Sequence, residues 1–248
     1  YESGIDDYLT KPIHPAELVA RVKSLITRSK MLGSTFGEKG YTIGILAARG
    51  GIGVSTFTLN LGISYRQLSD RDVIAAELRP GHGYWADFLK LEKSENLGKL
   101  LRLSPGAITT AALNDQLQMS VNGVQLLVAN SQIDEVKLLS ATEQMKKTVK
   151  LLPLLASLVL LDLGSGNLIN LDELIPLCDE IFLLLDPYPA GILSARRLSL
   201  ELSEWGFGKA KPLSLILVNK FPSGLQSSVK DIEDFLENRS EERRVGKE

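Results

Sequence analysis

Between Arg49 and Thr56 the chain reads R-G-G-I-G-V-S-T. Glycine takes φ > 0 easily and brings no Cβ, so the backbone N–H groups of Gly50, Gly51 and Gly53 can turn inward around an anion. Ser55 and Thr56 add hydroxyls at the start of an apolar helical pattern, whose positive N-terminal end points at the same place. This is an arrangement suited to binding phosphate. A carboxylate stands further along, where the apolar run L-V-L-L ends in Asp162 and continues as L-G-S-G. At the carboxyl end of a strand Asp162 faces the region where open α/β sheets place ligands. It is also suited to capping the loop that follows.

Residues 41–48 (Y-T-I-G-I-L-A-A) form a short apolar run, as expected of a strand buried on both faces of a parallel sheet. Phe57, Leu59, Leu61 and Ile63 then begin a helix that runs to about Ser69. Further strands are expected at 72–78, 121–129, 158–166, 180–185 and 213–218. Helical patterns fall at 97–103, 108–117, 133–152 and 190–202, with another from Lys230. Tyr84, Trp85, Phe88 and Leu89 begin an amphipathic helix of core or partner-facing kind. In the 133–152 helix Val136, Leu139, Met145 and Val149 point inward, and in the 190–202 helix Arg196 and Arg197 are solvated. Alternating strands and helices of this kind define a doubly wound, mainly parallel α/β sheet with the glycine-rich loop at the carboxyl end of a central strand.

The composition of the 248 residues is that of an ordinary globular chain, 44% hydrophobic and with a net charge of −2. That balance argues against a broadly basic nucleic-acid-binding protein, and DNA contact is left unassigned. Cys178 is the single cysteine, which excludes an intrachain disulfide and fits a reducing cytoplasm. Two histidines, His14 and His82, are too few for a histidine-based metal centre and read as surface or loop residues. The longest apolar stretch, 151–161, contains Pro153 and falls well short of the roughly 20 residues of a membrane span.

The G-G-I-G-V-S-T order resembles the deviant Walker A loop of MinD/ParA-type P-loop ATPases. That resemblance implies ATP with Mg2+, held by Arg49, Gly50, Gly51, Gly53, Val54, Ser55 and Thr56. The 158–166 segment resembles Walker B, which implies Mg2+ shared between Ser55 and Asp162. The 213–218 strand ends in Asn219-Lys220, where the family's asparagine reads the adenine edge through its paired donor and acceptor. Two departures weigh against hydrolysis. Val54 stands where ordinary P-loops keep the lysine that neutralises the β and γ phosphates, and Arg49 stands at the position of the family's signature lysine. In the strand-and-loop 72–83, Glu77 aligns with the first acid of the family's switch, but Arg79 takes the place of the second, water-positioning one. No catalytic residue is assigned, and ATP turnover is expected to be weak or absent.

Residues 1–28, with G-I-D-D-Y-L-T-K-P followed by a helical pattern, resemble the C-terminal end of a response-regulator receiver domain, Asp7 to Thr10 being its last strand. Residues 29–40 read as a linker, 41–238 as the nucleotide-binding domain, and 239–248 as a charged, non-native tail. The chain opens on Tyr1, so a fragment cut at both ends is expected, without the receiver's phosphoacceptor. A receiver end joined to a lysine-less loop resembles CpaE/TadZ, atypical MinD/ParA relatives of tight-adherence type IV pilus machinery. That resemblance implies a cytoplasmic, polar or membrane-peripheral homodimer with pilus or secretion assembly proteins as partners. Two other readings stay open, an active partitioning or positioning ATPase and a nucleotide-free scaffold.

Overall fold

A computed structural model of the chain describes residues 7–10, 39–91, 96–165 and 170–218. The helical patterns expected after Thr10 and from Lys230, together with Asn219, lie outside them. Among the described residues eight strands form one sheet: β1 (Asp7–Thr10), β2 (Tyr41–Ala47), β3 (Val73–Glu77), β4 (Gln118–Met119), β5 (Gln125–Leu127), β6 (Leu158–Ser165), β7 (Glu180–Leu185) and β8 (Leu213–Leu217). Their order is β1-β8-β7-β2-β6-β3-β5-β4. Every neighbouring pair is parallel except the short β4 and β5 edge. The strand before the glycine-rich turn, β2, is therefore central, held between β6 and β7 by two parallel ladders. At the other edge β1 pairs in parallel with β8, so Asp7–Thr10 extends the same sheet.

Alternation along each strand sorts the core into two layers. Ile43, Ile45, Ala75, Leu160, Phe182 and Leu184 point to the face covered by α1 (Val54–Ser69), where Phe57, Leu61 and Tyr65 pack on them. Leu46, Ile74, Ala76, Leu161, Leu183 and Leu185 point to the opposite face. That side is covered by α5 (Thr142–Leu151), α6 (Leu171–Leu174) and α7 (Pro189–Glu204). Three short helices, α2 (Trp85–Phe88), α3 (Asn96–Leu101) and α4 (Thr110–Asn114), close the β3 side. No helix among the described residues is long and apolar enough to cross a membrane.

Several local expectations are corrected. The 133–152 segment is not one α-helix: Ile133–Ser140 is 3-10 and only Thr142–Leu151 is α. The tighter winding changes the inward face, so Glu135 and Leu138 are buried there, while Val136 and Leu139 are only partly covered. Within 121–129 only Gln125–Leu127 is strand. The aromatic cluster is split, with Trp85 buried and Tyr84 and Phe88 exposed on a single helical turn. Arg196 is buried at 8% exposure, whereas Arg197 is solvated and pairs with Glu201 one turn on.

The central strand is tightly packed at Gly44. A Cβ there would lie 2.7 Å from Ile181 Cδ1, 2.8 Å from Cys178 Sγ and 3.0 Å from Leu163 Cδ1. Gly44→Ala is accordingly expected to lower stability by about 1–3 kcal/mol in chemical denaturation. Gly50→Ala, where a Cβ would meet nothing within 4 Å, is expected to stay within about 0.5 kcal/mol of the parent.

Candidate functional site

The glycine-rich turn leaves β2 at its carboxyl end and enters α1. Gly51 has φ 78° and Gly53, the N-cap of α1, φ 111°, values that disfavour any residue with a Cβ. A Cβ on Gly50, Gly51 or Gly53 would meet no atom within 4 Å, so the turn is held by backbone conformation and stands open on its outer side. Gly50, Gly51 and Thr56 are exposed. Val54 turns the other way, buried at 7% exposure in the core under α1 with Ile52 and Phe57. The position at which a P-loop lysine would carry charge is thus spent on apolar packing.

Ser55 and Asp162 are brought together as the sequence implies. Ser55 Oγ donates a hydrogen bond to Asp162 Oδ2, and both side chains are buried. A bulge aims the carboxylate. The β2 to β6 register passes from Ile45 opposite Asp162 to Leu46 opposite Gly164, so Leu163 is an extra residue in β6. Gly164, at φ 70°, then donates its N–H to Asp162 Oδ1 at 2.9 Å.

Arg79 completes the cluster. Its Nη2 donates to Ser55 Oγ at 3.0 Å and lies 3.5 Å from Asp162 Oδ2 and 3.6 Å from Glu77 Oε1. The guanidinium also lies over the Tyr84 ring, 5.7 Å from its centroid. Glu77, wholly buried on β3 beside Asp162 of β6, ties two loops together. It accepts from the Tyr84 N–H at 3.0 Å and from the Ala129 N–H at 3.2 Å. The turn that carries Arg79 is pinned further by Gly83 N–H to the Asn130 carbonyl at 3.2 Å. Ser55 and Asp162 are hard oxygen donors of the kind Mg2+ takes. Both, however, already face a cation, and the pair as arranged does not fit a metal ion unless Arg79 leaves it.

Arg49 is held elsewhere. Its Nε donates to Asp186 Oδ2 at 2.8 Å, its Nη2 donates to the same oxygen, and the guanidinium sits 5.8 Å from the Tyr188 ring centroid. Asp186 follows β7 directly, at the same end of the sheet as the glycine turn. Neither the Arg79 bonds to Ser55 and Asp162 nor the Asp186 anchor for Arg49 was read from sequence. The signal for Asp186 was present, a carboxylate just past a buried strand beside the loop-bearing strand.

The fold is the P-loop NTPase fold, a mainly parallel sheet with a glycine turn leading from its central strand into a helix. Within that class its structural neighbours are MinD/ParA-type ATPases. A ParA family ATPase from Chlorobium tepidum superposes with a TM-score of 0.69 at 16% identity, over 79% of this chain and 80% of that one. The septum site-determining protein MinD from Pyrococcus horikoshii, a complex with Mg-ADP, gives 0.64 at 18% identity, over 79% and 76%. The kinase domain of the Escherichia coli tyrosine kinase ETK gives 0.65 at 17%, over 92% and 95%. No protein-family model and no curated protein sequence matches the chain.

Burial from water is the main cause of an upward shift of the Glu77 carboxyl from 4.5 to about 7, with the Asp162 charge adding to it and Arg79 and two N–H bonds opposing it. Asp162 is shifted upward too, by burial, against Arg79, Ser55 and the Gly164 N–H. An unfolded Glu77 loses its proton near 4.5, whereas the folded one keeps it to about 7. Below the lower value both states are neutral; as pH rises toward the upper one, ionisation favours the unfolded chain. The loss totals about 3 kcal/mol. Melting temperature should therefore fall as pH rises through this window. Glu77→Gln should reduce that slope, and what remains includes the contribution of Asp162, which acts in the same direction.

Proposed function

We propose that the chain is an ATP-binding positioning or assembly factor of the CpaE/TadZ kind, in which nucleotide binding is retained and hydrolysis is lost. The observation that carries this reading is the open glycine turn at the start of α1, set beside a Ser55 and Asp162 pair that is engaged by Arg79. The turn offers backbone N–H groups and a helix N-terminus to a polyphosphate. Val54, buried, supplies no charge to the β and γ phosphates, and Arg79 cannot position an attacking water as a carboxylate does. Residues 50–56 would hold the phosphates and Asn219 the adenine, within a domain spanning 41–238. The receiver-like residues 1–28 and the lysine-less loop support the CpaE/TadZ assignment, and with it a cytoplasmic homodimer read by pilus or secretion assembly proteins.

Arg49 is the residue through which nucleotide would act on assembly. Its side chain is 47% exposed and tethered to Asp186, a pairing cheap enough at that exposure to exchange for a nucleotide phosphate at a dimer interface. Nucleotide that binds the dimer better than the monomer then shifts the population by mass action.

Sedimentation velocity with and without ATP, paired with phosphate-release measurements, tests this. The expected result is a monomer-to-dimer shift without turnover above background, and Arg49→Ala should weaken the nucleotide-driven dimer by about tenfold or more while the fold persists. Turnover that disappears in Asp162→Ala would establish an active ATPase instead, and a protein that binds no ATP would be a scaffold.

A further inference from the structure

We infer that Arg79 is the resident cation of this site, so that the chain binds its nucleotide without a divalent metal. The inference rests on the nucleotide-binding reading above and specifies what that binding requires. Three oxygens converge on one guanidinium nitrogen: Ser55 Oγ at 3.0 Å, Asp162 Oδ2 at 3.5 Å and Glu77 Oε1 at 3.6 Å. A hydroxyl and carboxylates gathered around one positive centre are the donor set that would otherwise collect a hard cation.

The surroundings are shaped for the arginine rather than for an ion that comes and goes. Gly164 leaves the room its stem occupies, since a Cβ there would stand 2.9 Å from Arg79 Cδ. Tyr84 lies against the guanidinium, and the backbone N–H of the same residue is fixed to Glu77, so the ring and the acid are positioned together. The Arg79 side chain keeps 21% exposure. It faces the oxygen pair while retaining access to solvent.

Entry of a metal between Ser55 and Asp162 would strip that nitrogen of two of its three oxygen partners. Mg2+ itself surrenders bound water reluctantly. With Val54 buried in the core, the positive charge that a polyphosphate meets next to Ser55 is the guanidinium. Arg79 also suits a phosphate through its planar set of donors, which can reach an oxygen while Nη2 stays on Ser55.

Calorimetric titration of the full chain with ATP, in excess EDTA and in excess Mg2+, tests the inference. The two dissociation constants should agree within about threefold. Affinity that drops about tenfold or more in EDTA overturns the inference and leaves the nucleotide-binding reading standing. Absence of binding in both buffers overturns both. In Arg79→Ala, with folding checked by thermal melting, metal-free affinity should fall about tenfold or more and Mg2+ should restore it, because the freed Ser55 and Asp162 pair then takes the metal. Metal-free affinity unchanged in Arg79→Ala would overturn the assignment to Arg79. The comparison of the two buffers on the unmodified chain needs no variant and decides the metal question by itself.

Discussion

Two carboxylates on neighbouring strands, Glu77 of β3 and Asp162 of β6, are removed from water at the carboxyl edge of the sheet, and the guanidinium of Arg79 lies between them. Burying one such charge is costly and burying two side by side is worse. The local architecture follows from that constraint. Glu77 is bonded by two backbone N–H groups from different loops, Asp162 by Ser55 and by the Gly164 N–H of a bulge, and Arg79 is carried in on a turn pinned to Asn130. A carboxyl that still cannot afford ionisation keeps its proton, as Glu77 does to about 7.

The same cluster sets the charge around the glycine turn. In this chain the first turn of α1 carries Val54, and the cation beside Ser55 is Arg79 on the loop after β3. Val54 then joins Ile52 and Phe57 in the core beneath α1, an exchange of mobile charge for apolar burial. Arg49, tethered to Asp186 on the opposite side of the turn, leaves the glycine N–H groups between two arginines. A site built this way keeps the glycine turn open on its outer side, with the charge next to it carried by arginine.

The sheet was legible because parallel strands buried on both faces read as unbroken apolar runs, and β7 is met residue for residue at Glu180–Leu185. The turn was legible from glycine and hydroxyl spacing, and its pairing of Ser55 with Asp162 from the resemblance to the Walker motifs. What escaped were features set by tertiary contacts. Periodicity suggested an α-helix at Ile133–Ser140, but burial of Glu135 against Arg102 and a 3-10 winding displaced the expected face. Arg79 read as a lost carboxylate, and the oxygens it gained became visible only when β3 and β6 stood side by side. Arg196 read as solvated on helical pattern alone, yet it is enclosed on α7.

Backbone amide hydrogen exchange across residues 49–57, with and without ATP, addresses the central claim most directly, because it reports on the glycine turn itself. If the turn holds the phosphates, exchange of the Gly50, Gly51, Gly53 and Ser55 amides slows markedly with ATP, while the buried amides of β2 do not change. Unchanged exchange across the turn at saturating ATP would contradict the account and leave the glycine turn as a connection between β2 and α1.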